Sequence, residues 1–292
     1  MTSTTPASET VADFWVHTRL GPALASTLAG AKFDAQVDGH AYGCAGGFVR
    51  GDASPSLTIQ TEHGHSVTIP STWQVFVLQN DNPATVPKWK EAGDVRVGER
   101  AVLGYQRENP HWYGQGEKKH EGARAGKAIA EALRNGNMTD AIITLRHEAA
   151  SSEFALGMLS EIFSDTNPGA GASAGGIFAH LADKGSAAAI QRILLRMGIL
   201  SACEGSMVLV PFRNWNAFLL LSRTNPENEA FTDEVRARTS DDGEVHRSYF
   251  SSPIESIRDA GEVGCYFADI SEMGAFDANG IIVSSEHAGT EH

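Results

Sequence analysis

The sequence predicts an α+β protein with two similar helix–hairpin–helix halves and a small β-rich tail. An amphipathic helix is predicted over 186–199, because its apolar residues recur at spacings of three and four. Alternating apolar and polar residues over 56–61 and 66–69 predict a β-hairpin. Three short β-like runs lie within 252–283. Helices and hairpins are therefore predicted along most of the chain, and only strands are predicted in its C-terminal part.

The first half begins with helical spacing of apolar residues over 11–28, which a Gly-Pro pair interrupts. A stretch rich in glycine and alanine follows at 41–52. After the predicted hairpin come two short strands at 95–97 and 101–105. The span 108–122 contains a proline and three glycines, which predict a loop.

The second half has the same mixture of helices and strands. Its polar stretch 224–246 has little apolar periodicity and is predicted to be a linker. Ser186 is predicted to cap the amphipathic helix at its N-terminus, and Gly198 to end it. The other predicted elements of this half are helices at 126–134, 138–148, 153–164 and 215–221 and strands at 176–181 and 207–212.

Composition limits the class of protein. The chain has 292 residues, a formal net charge of −13 and 41% hydrophobic residues, enough to form a core. No apolar run approaches the roughly 20 residues that span a bilayer, and no secretory signal is present, so we expect a cytoplasmic protein without a membrane segment. Three cysteines without a CxxC pair indicate a reducing compartment. The acidic balance argues against nucleic-acid binding by the whole surface, and a local basic face stays open.

A glycine-rich motif at 45–54 reads Ala-Gly-Gly-Phe-Val-Arg-Gly-Asp-Ala-Ser. It resembles the first signature of LAGLIDADG homing endonucleases, in the divergent form found inside inteins. The resemblance implies a helix whose glycines, Gly47 and Gly51, pack against a second copy, and whose Asp52 binds a catalytic divalent metal such as Mg²⁺. By itself, the same run is also typical of a close-packed helix and its C-cap.

A second copy of the motif is expected about one structural half later, and 159–167 is the candidate. Its apolar pair aligns Glu161 with the packing glycine and Thr166 with the metal-binding acid, so Asp165 is the substitute acid. The resemblance then implies a pseudo-symmetric pair of αββαββα halves that cuts both strands of double-stranded DNA with Mg²⁺. Candidate DNA contacts are Lys118, Lys119, Arg192 and Arg196. For the two lysines a solvated helix start is favoured over a DNA contact, and for the two arginines both interpretations stay open.

The C-terminal stretch 266–283 resembles the final strand pair of an intein, of the kind that inserts in phage and bacterial ribonucleotide reductases. The matching residues include Tyr266, Phe276, Asn279-Gly280 and Val283. By itself, Asn279-Gly280 between apolar residues predicts a type I′ hairpin. The resemblance adds a small Hint-like β segment to the predicted fold.

The residues that carry out splicing in active inteins differ here. Active inteins have a histidine where Gly274 lies and a His-Asn pair where Ser284 and Ser285 lie. That asparagine cyclises to break the downstream peptide bond, and the histidines assist proton transfer. The residues of this chain that the resemblance places at or next to the splicing positions are Asn279, Gly280 and Ser285. Because the chain starts at Met1 with a predicted helix instead of a nucleophile and a β block, autonomous splicing is not expected.

These resemblances predict a domain organisation and a function. The domains are an N-terminal extension with a helix (1–36), an endonuclease-like domain (37–223, halves 37–150 and 151–223), the linker 224–246 and a C-terminal β segment with a tail (247–292). We expect an intein-derived, homing endonuclease-like monomer whose metal-dependent DNA cleavage is weakened or lost. The alternatives are a non-catalytic intein remnant that binds or supports other molecules, or the trans partner of a separate N-terminal intein fragment.

Three further residues invite a chemical interpretation. His63 and His65 flank a glycine at the tip of the predicted hairpin, where solvated turn residues are expected more than a metal site. Cys44 has no histidine near it in sequence, and is expected to be a small packing residue and not a nucleophile.

Overall fold

The structure is a computed structural model that describes residues 10–19, 21–37, 41–80, 82, 85–105, 124, 128, 131–132, 152–163, 169–173, 175–196, 198–211, 249–271 and 274–285. The chain divides into two compact units. The first comprises 1–18, 23–104 and 251–292, and the second comprises 19–22 and 105–250. The first unit is therefore built from both ends of the chain, and most of the second unit lies between them in sequence.

Strands dominate the described residues. No helix among them is long and apolar enough to cross a membrane. In chain order the elements are β1 (Val11–Ala12), β2 (Trp15–Thr18), β3 (Gly21–Leu24), β4 (Phe33–Gln36), β5 (Ala41–Cys44), β6 (Val49–Arg50), β7 (Ser54–Thr61), β8 (Ser66–Pro70), β9 (Gln74–Leu78), β10 (Lys88–Glu91), β11 (Arg100–Tyr105), α1 (Ser152–Ile162), β12 (Ala170–Ser173), β13 (Gly176–His180), α2 (Lys184–Arg196), β14 (Ala202–Glu204), β15 (Met207–Pro211), β16 (Tyr249–Phe267), β17 (Phe276–Ala278) and β18 (Ile281–Ser284), with short 3₁₀ helices at Ala25–Leu28 and Ala92–Asp94.

The larger sheet joins strands from both ends of the chain. Its order is β17-β18-β9-β11-β16-β7-β8, with β1 and β6 paired to β16 and β10 paired to β9. A second sheet has the order β3-β2-β4-β5. The predicted hairpin is confirmed, because β7 and β8 pair antiparallel with Ile59 opposite Val67. Since β18 pairs with β9, the C-terminal hairpin completes a sheet that the N-terminal strands begin.

A cluster of five aromatic side chains forms the core beneath this hairpin. The rings of Phe14 and Phe276 stack with centroids 5.6 Å apart, and the rings of Phe48 and Phe276 meet edge to face at 5.3 Å. Such pairs contribute about 0.5–1.5 kcal/mol each beyond the burial of their area. Members of the cluster, all at most 8% exposed, are Phe14, Phe33, Phe48, Trp73 and Phe276.

The predicted helix over 11–28 is wrong, since this segment forms β1, β2, β3 and the 3₁₀ helix Ala25–Leu28. Phe14 and Val16 are both buried, at 1% and 0% exposure, on either side of the half-buried Trp15. In β2, Val16, His17 and Thr18 are all buried, which a single helical face does not explain. The segment pairs instead as strands, β1 with β16 and β2 with β4.

The second unit has the described order α1-β12-β13-α2-β14-β15, and its sheet has the order β12-β13-β15-β14. The predicted amphipathic helix is confirmed as α2, which starts two residues earlier than predicted. Asp183 lies at its N-terminus, where Oδ1 accepts a hydrogen bond from the Ser186 backbone N–H at 2.8 Å. Asp183 is therefore the cap instead of Ser186. Gly198, at φ 75°, follows the end of α2 as predicted.

The predicted fold class is wrong: the chain is not a pseudo-symmetric pair of αββαββα halves. The motif expected to form the first packing helix holds strand β6, which pairs with β16 through Val49 and Phe267. Its glycine serves a turn instead of a helix crossing. Gly47 has φ 70°, and a Cβ there would collide with the backbone of Leu28 and Ala31. Gly47 thus allows the turn between β5 and β6 to lie directly against the backbone of Leu28 and Ala31.

We expect Gly47→Ala to destabilise the first unit by about 2–4 kcal/mol, because it combines a left-handed backbone with a steric collision. Gly46→Ala is the matched control, since a Cβ at Gly46 meets nothing within 4 Å. Urea denaturation monitored by tryptophan fluorescence measures both variants. Equal stability of the two would contradict the packing role assigned to Gly47.

Candidate functional site at the C-terminal hairpin

The C-terminal hairpin turns on two residues with positive φ. Asn279 has φ 54° and Gly280 has φ 91°, and they join β17 to β18, which pair antiparallel. Both central residues of a type I′ turn need positive φ, and Asn-Gly is the sequence that adopts it most readily. The predicted tight hairpin is confirmed.

Asn279 connects this turn to two N-terminal segments through hydrogen bonds. Its Oδ1 accepts a hydrogen bond from the Trp15 N–H at 2.9 Å, and its own N–H donates to the Trp15 carbonyl oxygen at 2.9 Å. Its Nδ2 donates to the Ser66 carbonyl oxygen at 2.9 Å. These partners lie 264 and 213 residues earlier in the chain. One turn residue therefore connects β2, β8 and the C-terminal hairpin.

His65 covers the turn from the tip of the β7–β8 hairpin. Its Nδ1 lies 3.1 Å from the Asn279 carbonyl oxygen, and the side chain is 2% exposed. A Cβ added at Gly280 would collide with the imidazole ring. His65 is thus buried, and the expectation that it is a solvated turn residue is wrong. His63 is half-buried, with its Nδ1 2.6 Å from Ser252 Oγ.

A buried acid and a second histidine complete the surroundings of the turn. Asp277 Oδ1 accepts a hydrogen bond from the Gly280 N–H at 3.0 Å, and Oδ2 lies 3.8 Å from His17 Nδ1. Asp277 and His17 are 3% and 6% exposed. The described residues hold no group of three histidine, cysteine or acidic side chains arranged for a metal. Asp277 therefore holds the backbone of the turn, and the described residues around it do not form a metal centre.

A cleft of about 730 Å³ opens where β18 ends. Ser285, the residue after this strand, donates from Oγ to the Ala268 carbonyl oxygen at 3.1 Å. Asn279 and Gly280 do not line the cleft, so the structure separates the turn residues from Ser285. The lining residues come from the loop before β4, from β5 and the turn that joins it to β6, from β6, from the end of β16 and the residues after it, and from the residue after β18. They are Lys32, Gly43, Cys44, Ala45, Gly46, Gly47, Val49, Phe267, Ala268, Asp269, Ser271 and Ser285.

Cys44 forms part of the cleft wall but is only 1% exposed. Its Sγ donates to the Gly47 carbonyl oxygen at 3.5 Å. Burial raises the pKa of the Cys44 thiol above its ordinary value, with a smaller contribution from the charge of Asp269. A raised thiol pKa lowers the fraction of nucleophilic thiolate. The side chain accordingly acts as the small packing residue that was expected.

Only some of the residues predicted to bind metal and DNA lie in the described part of the chain. Asp52 is exposed in the loop between β6 and β7, and Asp165 lies outside the described residues. On α2, Arg196 is 5% exposed, its Nη2 donates to the Arg19 carbonyl oxygen at 3.3 Å, and burial lowers its pKa to about 9. Arg192 is half-buried. Lys118 and Lys119 lie outside the described residues, so the predicted Mg²⁺ and DNA contacts stay predictions.

His17, Asp277 and Lys32 were not predicted from the sequence. His17 and Asp277 lie 260 residues apart in sequence, and no spacing pattern connects them. The only local signal is that each of the two residues has an apolar neighbour in its strand. Such a neighbour predicts that the apolar residue is buried, and it does not predict burial of the polar side chain. Lys32 gave no signal, because a single lysine in a loop is typical of any surface.

No family model matches the chain, and no curated protein matches it. Among solved structures, the chain is similar to a mutant of the Ssp DnaB mini-intein, at a TM-score of 0.41 and 9% sequence identity. The similarity covers 95% of this chain and 98% of the mini-intein chain.

Replacing Gly280 by alanine should destabilise the hairpin by about 3 kcal/mol, because the new methyl group collides with His65 and the backbone stays at positive φ. Gly261→Ala is the control, since Gly261 has φ 74° but its Cβ would meet nothing within 4 Å. It should cost only about 1 kcal/mol. Urea titrations of both variants measure the difference.

A double-mutant cycle isolates the collision itself. In a His65→Ala background, the cost of Gly280→Ala should fall by about 1–2 kcal/mol, because the ring that the methyl group meets is gone. An unchanged cost in that background would show that His65 is not the obstacle.

The three cysteines should resist alkylation in the folded protein. Burial raises the pKa of Cys265 to about 11 and of Cys203 to about 12, and it also raises that of Cys44. Each thiol then loses its proton only at a pH above that of an ordinary cysteine. At pH 8 we expect iodoacetamide to react more than roughly tenfold faster after denaturation in guanidinium, as measured by mass spectrometry. Rapid labelling of Cys44 in the native protein would contradict its buried position.

Proposed function

We propose that this chain is an intein-related module of the Hint type that keeps the β-fold around the C-terminal splice position and does not complete the splice. The observation that carries the proposal is the order of its parts. Strands β1 and β6–β11 lie before most of the second unit in sequence and β16–β18 lie after it, and these strands join in one sheet. An intein with an inserted endonuclease has the same order of β block, insert and C-terminal strand pair.

This order also corrects one expectation. A β block was expected to be missing, because residues 11–28 were predicted to be a helix. The segment is instead the start of a β unit. The sequence resemblance at 266–283 and the architecture of the first unit therefore support the same family, and the N-terminal strands of that unit add support from residues outside this stretch.

The end of β18 supports the loss of the splicing chemistry. Where the resemblance places the cyclising asparagine, Ser285 has a hydroxyl group and no carboxamide nitrogen. Its Oγ is engaged with the Ala268 carbonyl oxygen. Ser284 and Gly274 have no imidazole that could move a proton. This end of the chain retains the backbone of the site without the groups that would break the downstream peptide bond.

DNA cleavage is not part of the proposal. The first motif on which that expectation rested belongs to the turn and strand around β6, and no pair of acids meets at the ends of two crossing helices among the described residues. What the second unit binds is a separate question from the identity of the first.

Restoring the missing groups tests the proposal. The triple variant Gly274→His, Ser284→His, Ser285→Asn, with a carrier protein fused after residue 292, should cleave the bond after residue 285 within hours, because the asparagine can then cyclise. Gly274 has φ 60°, which histidine tolerates better than most residues. Intact mass spectrometry identifies the released fragment and its C-terminal succinimide.

The control carries both histidines with Ser285→Ala, and it should stay intact. The wild-type fusion should also stay intact. Cleavage by the wild-type fusion would contradict the loss of splicing chemistry, and a folded but inert triple variant would contradict the assignment of this site.

A further inference from the structure

The cleft beside Ser285 has polar and apolar features that the proposed function does not use. Lys32 and Asp269 are both exposed and both line it. Neither forms an ion pair or a hydrogen bond with another described residue, in contrast to Lys90, whose Nζ lies 3.0 Å from Glu99 Oε1. One cleft thus presents a cation and an anion that have no charged or hydrogen-bonding partner among the residues that the structure describes.

The same cleft has an apolar wall. Val49 and Phe267 are opposite each other in the β6–β16 pair, and they are 50% and 42% exposed. They are two of only a few large apolar side chains so exposed among the described residues. Exposed apolar side chains that lie together in a concave site are typical of a ligand-binding surface.

The floor of the cleft is made of small residues. A Cβ at Gly46 would meet nothing within 4 Å, so this backbone is open to a ligand. The hydroxyl groups of Ser271 and Ser285 are already bonded, to the carbonyl oxygens of Gly43 and Ala268. The groups left to orient a ligand are therefore the two charges and the open backbone.

From these features we propose that the cleft binds a short peptide with free ends. Its carboxylate would pair with Lys32, its ammonium with Asp269, and a central apolar side chain would contact Phe267 and Val49. An extended tripeptide spans about 10 Å, and sites for small ligands typically enclose about 300–1,000 Å³. The inference goes beyond the proposed function and depends only on the cleft, so peptide binding and restored cleavage can fail independently.

The charge pattern selects this ligand over others. A lipid surface or a nucleic acid would favour several cations without an acid, and Asp269 would repel either one. A purely apolar ligand would leave both charges without a partner. A zwitterion with an apolar centre matches all of the unused groups at once.

Saturation-transfer NMR with the whole protein tests the proposal. The probe is an equimolar mixture of tripeptides with phenylalanine or leucine at the centre and glycine, alanine or serine at the ends. Strong transfer to these peptides is expected, together with at least a fivefold loss when their ends are acetylated and amidated. No transfer to any free peptide would overturn the proposal, as would equal transfer to blocked peptides or to free leucine.

Variants then locate the site. Lys32→Ala and Asp269→Asn should each weaken binding about threefold to fivefold at low salt, and the loss should shrink in 1 M NaCl because salt screens exposed charges. Phe267→Ala should weaken binding about tenfold at either salt concentration. The matched controls are Lys88→Ala and Val97→Ala, which remove an exposed cation and an exposed apolar side chain outside the cleft. Equal effects of the control and cleft variants would overturn the assignment.

Discussion

The structure of the first unit depends on how one turn near the C-terminus is held. Asn279 bonds to the backbone of Trp15 and Ser66, and Asp277 closes the turn through the Gly280 N–H. These bonds join three parts of the chain that lie far apart in sequence. They hold the turn that leads into β18, and β18 pairs with β9 through Val283 and Val75. The short side-chain bonds of one asparagine thus set the position of a whole hairpin.

The aromatic core explains why this hairpin is retained. Phe276, the first residue of β17, contacts Phe14, Phe48 and Trp73, which come from three separate N-terminal segments. Contacts over such long sequence separations form only after a large loss of chain entropy, so they are slow to form and are favourable only when the complete cluster closes. Asn279 holds the hairpin through hydrogen bonds, and Phe276, three residues earlier, holds it through ring contacts. Both sets of contacts require the same register of the hairpin against the N-terminal segments.

Local patterns predicted the parts of the fold that depend on local physics. The Asn-Gly turn, the β7–β8 hairpin and α2 were all predictable, because each is determined by the period or turn chemistry of a few neighbouring residues. The segment 11–28 and the motif around Gly47 were not predictable in this way. Their conformations depend on the partners β16 and Leu28–Ala31, and a glycine-rich run is compatible with either a helix crossing or a tight turn until those partners are known.

The candidate site shows the same division between local and long-range information. The sequence resemblance predicts Asn279, Gly280 and Ser285 as splicing-like residues. No pattern in the sequence places Lys32 and Asp269 in one cleft, because no spacing rule links the loop before β4 to the residues that follow β16. His65 was expected in solvent, since a hairpin tip is normally exposed. Burial of His65 arises only when the C-terminal turn is laid across that tip.

Fold and chemistry are physically separable at this end of the chain. Side-chain bonds from Asn279 and Asp277 hold the turn, and at the positions that resemble splicing residues Ser284 pairs with Gln74 in the β18–β9 ladder and Ser285 Oγ donates to the Ala268 carbonyl oxygen. Replacing a histidine and an asparagine by serine at those positions removes reactive groups without removing a member of the aromatic core. Under the proposed function, the aromatic core and the Asn279 bonds maintain the hairpin while the side chains at the splice positions differ from those of active inteins.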